Sequence, residues 1–167
     1  MGKENLFYEK QYFKQFPLWL ILIGLNLLFI YAFFQQVIGG KKFGQNSMSN
    51  IQLEIATGII LLLTILFKIV HLDTVIKKDA IYIRFFPIQL NYRKYSWSSI
   101  SKALVGKYKP ILGYGGWGFR ISITGKKALT VSGDDGIKLF FKDGSQLLIG
   151  TNKPKELEGV LKEVIPN

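Results

Sequence analysis

Three glycines in the second half of the chain have the spacing of a phosphate-binding loop. Gly113, Gly115 and Gly118 satisfy G-x-G-x-x-G, which in dinucleotide-binding proteins lets the backbone approach a pyrophosphate. Such a loop needs a following helix whose N-terminal amides face the anion. Residues 119–124 alternate as a β-strand instead, so we predict a glycine-rich bend whose aromatic side chains pack or lie at a bilayer surface. These aromatic residues are Tyr114 and Trp117.

The residue types that most active sites use are scarce. The 167 residues include no cysteine and a single histidine, His71, which excludes a thiol nucleophile, a thiolate metal site and a disulfide framework. A metal site draws three or four ligands, and His71 has only Asp73 close in sequence. Asp134, Asp135 and Asp143 fall in predicted turns, where short polar side chains bond their own backbone. The sequence therefore predicts a protein that is not an enzyme and has no cofactor.

Positive charge is the most informative feature. The net charge is +11, and the stretch between Ala80 and Gly133 holds nine Lys and Arg but no Asp or Glu. A basic residue near an anionic leaflet gains about 1 kcal/mol, so we expect some of these residues to form a surface for lipid or a protein partner. The alternative is an ordinary solvated surface. The candidate surface residues are Arg84, Arg93, Lys94, Lys102, Lys107, Lys109, Trp117 and Arg120.

So much charge rarely accompanies a positive mean hydropathy, here +0.21, unless apolar and charged residues are separated along the chain. Residues 16–34 form an apolar run in which Asn26 is the one strongly polar residue, and 51–70 form a second run. At about 1.5 Å per residue, each is close to the thickness of a bilayer core. We predict two transmembrane helices, at about 16–36 and 51–70, joined by the polar residues 39–50.

The basic residues beside the two helices predict their orientation. Three lysines precede the first helix, four Lys and Arg lie at or after the end of the second, and the connection holds two, Lys41 and Lys42. We therefore expect a multi-pass protein of the cell inner or plasma membrane with both termini in the cytoplasm. Residues 1–70 would form the N-terminal segment and membrane hairpin, and residues 71–167 a soluble domain.

From His71 onward the pattern changes to short alternating segments separated by turn residues. Asp143-Gly144 marks the clearest hairpin, and Pro154 begins a predicted amphipathic helix that ends near Ile165. Strands followed by one helix indicate a small α+β domain, in which the helix covers one opening of a bent antiparallel sheet or half-closed barrel. The predicted strands are 72–77, 81–85, 89–94, 103–108, 119–124, 128–131, 137–142 and 146–149.

Five motifs follow one another in the second half of the chain. They are Tyr114-Gly115-Gly116-Trp117-Gly118-Phe119-Arg120, Val131-Ser132-Gly133, Gly136-Ile137-Lys138-Leu139, Lys142-Asp143-Gly144 and Leu148-Ile149-Gly150-Thr151-Asn152-Lys153-Pro154. This series resembles the pattern of bacterial membrane proteins that pair two helices with a pleckstrin-homology-like (PH-like) domain. The resemblance covers roughly residues 71–165 and implies an antiparallel, partly closed β-barrel with a C-terminal capping helix. Phosphoinositide recognition is not implied, because the middle residue of the usual basic motif is missing between Lys78 and Arg84.

These observations predict a non-enzymatic, membrane-anchored PH-like module. It would bind anionic lipid headgroups or a protein partner at the cytoplasmic membrane face. The alternative is an accessory or scaffolding subunit of a larger membrane complex. Nucleic acid is a weaker expectation, because lipid and membrane proteins are the nearest partners of a domain tethered to a bilayer.

Overall fold

The computed structural model describes residues 5–45, 47–110, 113, 115–121 and 127–164. The chain divides into two compact units, one of Lys14–Ile69 and one that combines Met1–Phe13 with Val70–Asn167. The sequence predicts one unit of residues 1–70 that comprises the N-terminal segment and the two-helix hairpin. The segment before the first helix belongs instead to the sheet unit, because residues 7–12 pair with the strand that begins at His71.

The helical unit contains two long apolar helices. Helix α1 spans Phe16–Phe33 and continues as a π-helical turn, Phe34–Ile38, while α2 spans Asn50–Ile69. Both are long and apolar enough to cross a membrane, and only 11% of the apolar stretch of each is buried within the protein. Two helices are thus confirmed at the predicted positions, with small shifts at their ends, and their crossing of a membrane stays a prediction.

Polar side chains within the helical unit form hydrogen bonds to other side chains and to the backbone. Asn26 Nδ2 donates to Thr64 Oγ1 of α2 at 2.6 Å. Near the other end of the pair, Gln36 Nε2 donates to the carbonyl of Met48 at 2.7 Å, and Gln36 Oε1 accepts from the amide of Phe43 at 3.1 Å. Because a polar group in an apolar medium is costly without a partner, these bonds reduce the cost of placing Asn26 and Gln36 in an otherwise apolar helix pair.

The first sheet of the other unit is a four-stranded antiparallel meander in the order β1-β2-β3-β4. A tight turn joins β2 to β3, in which the amide of Lys77 donates to the carbonyl of Ala80 at 3.0 Å. The pairs run from Ile76 opposite Ile81 to His71 opposite Phe86. The strands are β1 (Phe7–Tyr12), β2 (His71–Ile76), β3 (Ala80–Phe86) and β4 (Arg93–Ser96).

The second sheet has five described strands in the order β5-β8-β9-β7-β6. The predicted Asp143-Gly144 hairpin is confirmed between β8 and β9, with Gly144 at φ +82°. The expectation of a wholly antiparallel domain is wrong, because β9 lies between β8 and β7 and pairs with β7 in parallel. The strands are β5 (Ile100–Lys107), β6 (Gly118–Ile121), β7 (Lys127–Thr130), β8 (Asp135–Phe141) and β9 (Gln146–Gly150).

One hydrophobic core joins the two sheets and the C-terminal helix α3 (Pro154–Val164). Leu157 and Leu161 of α3 are buried with side chains of both sheets, among them Ile83 and Ile149. This confirms the predicted terminal helix. Its hydrophobic stripe, which recurs at three- and four-residue spacing, faces the core as the periodicity requires.

The predicted half-closed barrel is not formed: within the described residues the two sheets are not joined by strand pairing. A 3₁₀ turn, Trp97–Ser99, separates β4 from β5. Trp97 Nε1 donates to the carbonyl of Lys77 at 2.9 Å, which fixes the place where the chain leaves the first sheet. The strand predicted at 89–94 is wrong for residues 89–92, since β4 begins at Arg93. The other strands predicted from residue 72 onward lie near their expected positions, although residues 122–124 lie outside the described part of the chain.

Strand β1 is held to the far end of the chain by two buried polar side chains. The Glu9 carboxylate, which is 5% exposed, accepts hydrogen bonds from Thr151 Oγ1 at 2.6 Å and from the amide of Asn152 at 2.8 Å. Gln11 Nε2 donates to the carbonyl of Gly150 at 2.7 Å. These bonds connect the segment before α1 to the segment that leads into α3.

We predict that Glu9→Ala lowers the free energy of unfolding of the sheet unit by about 2–4 kcal/mol, since bonds to a charged group contribute roughly 1.5–3 kcal/mol each. Thermal or urea unfolding of the full chain in detergent, followed by near-ultraviolet circular dichroism, measures this change. The matched control is Glu158→Ala, which removes an exposed pair with Lys162 and should cost less than about 0.5 kcal/mol. Equal losses in the two variants would contradict the role of Glu9.

Candidate ligand-binding face

The strand register places aromatic and basic side chains together on the side of the first sheet that faces away from the core. Along β1 the inward residues Phe7, Glu9 and Gln11 are buried and the residues between them are exposed. The strand register continues this outer side across β2, β3 and β4, although β2 is buried along its whole length. We call this surface the tyrosine–basic face, and it comprises Tyr8, Lys10, Tyr12, His71, Asp73, Val75, Tyr82, Arg84, Phe86, Tyr92 and Lys94.

A buried carboxylate lies in the middle of this face. Asp73 is 0% exposed and its Oδ2 accepts from Arg84 Nε at 2.9 Å and Nη2 at 2.6 Å. The Tyr92 hydroxyl donates to the same oxygen at 3.3 Å, and His71 Nε2 lies 3.4 Å away. Asp73 Oδ1 has no hydrogen-bond partner among the described residues. A buried charge requires such partners, so Arg84 and Tyr92 are held in fixed positions.

The surroundings of three groups on this face raise their pKa values. The hydrogen bond to Asp73 raises the pKa of Arg84. Burial raises the pKa of Tyr92, and the negative charge of Asp73 adds to that shift. The Tyr12 hydroxyl raises the pKa of Lys10. The two basic groups therefore stay charged and the Tyr92 hydroxyl stays protonated at neutral pH, so all three can act as hydrogen-bond donors.

Four cations on or beside this sheet are stacked against tyrosine rings, and the first is Lys10, whose Nζ lies 5.4 Å from the centroid of the Tyr12 ring. Arg84 Cζ lies 4.6 Å from the centroid of the Tyr92 ring. Lys77 Nζ and Lys94 Nζ lie 5.4 Å and 5.8 Å from the centroid of the Tyr82 ring. Such cation–π contacts position a charge without neutralising it. Lys94 is also paired with Asp79 at 2.9 Å, and the hydrogen bond to that carboxylate raises the pKa of Lys94.

A shallow groove of about 490 Å³ runs beside these stacked rings. Tyr8 and Tyr92, which are 49% and 40% exposed, contribute hydroxyl groups to it. Lys77 contributes a positive charge. This volume lies in the range that accommodates small ligands. The lining residues are Asn5, Tyr8, Val75, Lys77, Tyr82 and Tyr92.

Other candidate residues meet at a different place, around the turn that precedes β8. Lys107 Nζ lies 2.9 Å from Asp134 Oδ2 and 3.8 Å from Asp135 Oδ2, and the hydrogen bond to Asp134 raises the pKa of Lys107. Trp117 Nε1 donates to the carbonyl of Gly133 at 2.9 Å. Lys109, exposed two residues beyond Lys107, follows the same strand end. Two carboxylates face one lysine there, so Lys107 and its partners carry no excess positive charge.

The remaining candidates are dispersed. Arg93, Lys102 and Arg120 are exposed and form no ion pair among the described residues. Lys102 and Arg120 lie on β5 and β6, the opposite edge strands of the second sheet. Of the eight candidates from the sequence, only Arg84 and Lys94 belong to the tyrosine–basic face.

The glycine-rich segment has the conformation of a bend. Gly115 and Gly118 have φ angles of +70° and +120°, a region that favours glycine. Strand β6 begins at Gly118, so no helix N-terminus follows, as the alternation predicted. Tyr114 lies outside the described residues. Within the described part of the chain, no group of three His, Asp or Glu side chains is placed to hold a metal ion.

Sequence reasoning missed the part of the face that β1 and β2 contribute. Tyr8, Lys10 and Tyr12 stand at every second position of the segment before α1, and this period-two spacing of aromatic residues was the available signal. Asp73 could have been paired with Arg84 from the short connection between the predicted strands 72–77 and 81–85, because a two-residue turn at Lys78-Asp79 fixes the register of both strands.

No protein-family model, no curated protein and no solved structure matches the chain. The chemistry of the face is nevertheless defined by its residues. Lysine and arginine donors beside tyrosine hydroxyls and rings can bind an anionic group and pack against its apolar portion.

We predict that Arg84→Gln lowers the free energy of unfolding by about 2–4 kcal/mol, since removing one partner of a buried pair leaves the other charge uncompensated. The double variant Asp73→Asn with Arg84→Gln should be more stable than Arg84→Gln alone. Denaturant unfolding of the full chain in detergent measures both. Lys94→Gln, which removes an exposed pair, is the control and should cost less than about 1 kcal/mol. A double variant that is no more stable than Arg84→Gln would contradict this role for Asp73.

Proposed function

We propose that this protein is a non-enzymatic, membrane-anchored binding module whose tyrosine–basic face takes the headgroups of anionic lipids at the cytoplasmic surface. The observation that carries the proposal is the set of three cations stacked on Tyr82 and Tyr92 beside an open groove. These cations belong to a domain whose first two strands are connected through two apolar helices.

The charge balance of the face favours an anion. Four cations, Lys10, Lys77, Arg84 and Lys94, stand on or beside the face with two carboxylates, Asp73 and Asp79. A phosphate oxygen can accept hydrogen bonds from lysine and arginine, and the tyrosine rings suit the boundary between headgroups and acyl chains. Each basic residue near an anionic leaflet makes the free energy of membrane binding more favourable by about 1 kcal/mol.

The pairing of β1 with β2 supports a two-pass arrangement with both termini on one side. Residues 7–12 and 71–76 are neighbours in one sheet, so the segments before α1 and after α2 share a compartment. A chain that crosses a bilayer in α1 must then cross back in α2. The lysine and arginine counts beside the helices favour the cytoplasm as that compartment, in a bacterial inner membrane or a plasma membrane.

The element order of the sheet unit supports a PH-like domain as part of this proposal. A four-stranded antiparallel meander is followed by a second sheet and then by a C-terminal helix that packs on the shared core. The parallel pair of β7 and β9 and the helices between β1 and β2 are departures from the simplest form of that fold. The PH-like resemblance bears only on the type of domain. The proposed ligand follows from the residues of the tyrosine–basic face.

The test is native mass spectrometry of the full chain, released from detergent after incubation with equal amounts of phosphatidylglycerol and phosphatidylcholine of identical acyl chains. We expect preferential retention of phosphatidylglycerol. The variant Lys77→Gln with Lys94→Gln should reduce that preference about 30-fold, because two basic residues contribute about 2 kcal/mol. The matched control Lys102→Gln with Lys107→Gln removes the same charge from the second sheet and should leave the preference unchanged.

Equal retention of the two lipids by the unaltered chain, or an equal effect of the two double variants, would contradict the proposal. The alternative of an accessory subunit remains a prediction with a separate test. Affinity purification in mild detergent should return a stoichiometric partner if the alternative holds, and the chain alone if it does not.

A further inference from the structure

We propose that the loop between β3 and β4, residues 87–92, inserts the side chains of Ile88 and Leu90 into the membrane interface. The occupant of this surface is the bilayer itself. The inference depends on the proposed function only in that α1 and α2 cross a membrane, and it is independent of which headgroups the tyrosine–basic face prefers.

The loop presents two large aliphatic side chains to solvent. Ile88 is 62% exposed and Leu90 is 69% exposed, while Gln89 between them is 8% exposed. Gln89 is held by two bonds to one residue, since its amide donates to the carbonyl of Phe85 at 2.8 Å and its Oε1 accepts from the amide of Phe85 at 3.2 Å. Because these bonds hold the Gln89 side chain inward, the side chains of Ile88 and Leu90 point outward. This anchor also explains why β4 begins at Arg93 rather than at the predicted residue 89.

The loop leaves the sheet at the end where the chain departs for the apolar helices. Phe86, the last residue of β3, pairs with His71, the first residue of β2. His71 pairs in turn with Tyr12, the last residue of β1. The chain enters α1 shortly after Tyr12, and a single residue, Val70, separates α2 from β2. If the helices cross a bilayer, this is the end of the sheet from which they extend.

Aromatic side chains occupy the three strand ends beside the loop. The His71 ring lies 5.4 Å from the Tyr12 ring and 5.1 Å from the Phe86 ring, centroid to centroid. Aromatic residues concentrate at membrane–water interfaces, where one part of the ring is apolar and another is wet. Arg93 and Lys94 follow the loop directly and are exposed. Surfaces that lie in the membrane interface combine apolar side chains with lysine and arginine, and this end of the sheet has that composition.

The test uses environment-sensitive fluorophores on single cysteines, which the chain permits because it contains no native cysteine. Leu90→Cys and Ile88→Cys of the full chain are labelled with nitrobenzoxadiazole and reconstituted into phosphatidylcholine nanodiscs with or without brominated acyl chains. The controls are Leu104→Cys, an apolar position 44% exposed on β5, and Lys78→Cys at the turn on the opposite end of the first sheet.

We expect brominated lipid to lower the emission at positions 88 and 90 roughly twofold, since interfacial side chains reach the acyl boundary, and to leave positions 104 and 78 unchanged. The use of neutral lipid separates this result from headgroup preference. Quenching at positions 88 and 90 in a protein that retains both lipids equally would support membrane insertion of the loop. It would contradict anionic headgroups as the ligand of the tyrosine–basic face. The absence of quenching at both loop positions, or equal quenching at the controls, would overturn the inference.

Discussion

Strands β1 and β2 are hydrogen-bonded neighbours although residues 13–70, including both apolar helices, separate them in the chain. The pairing runs the full length of both strands, from Phe7 opposite Ile76 to Tyr12 opposite His71. The buried Glu9 carboxylate adds a second attachment at residues 151–152. Because of these contacts the helical unit is an insertion into a sheet rather than a leader before a separate domain, and its two ends are constrained to start from one place.

The same pairing forms the surface to which we assign the function. Without β1, the face would lose Tyr8, Lys10 and Tyr12, and Asp73 would lie at a sheet edge instead of between two strands. Burial between strands makes the carboxylate dependent on Arg84 and Tyr92, and it thereby orients the arginine against the tyrosine ring. A structural requirement, the compensation of a buried charge, thus produces an ordered array of cations and rings on the outside of the sheet.

Periodicity predicted most of the elements, because apolar runs, alternating strands and the stripe on α3 are direct consequences of burial. Strand β1 could not be recognised by hydrophobic alternation, since two of its three inward residues are Glu9 and Gln11, whose partners lie about 140 positions away. The parallel pairing of β7 with β9 was also inaccessible, because local pattern does not specify which strand becomes a neighbour. The basic candidates illustrate the same limit: composition identified Arg84 and Lys94, while register decided which side chains share their face.

We infer that two membrane-crossing helices are inserted between paired strands of one domain. Single-cysteine variants at Tyr8 in β1, Lys42 in the connection between the helices and Lys102 in β5 test it with a membrane-impermeant thiol reagent on intact and opened cells. We expect position 42 to react in intact cells and positions 8 and 102 to react only after the membrane is opened. Reaction of position 42 from the same side as position 102, or of positions 8 and 102 from opposite sides, would contradict it.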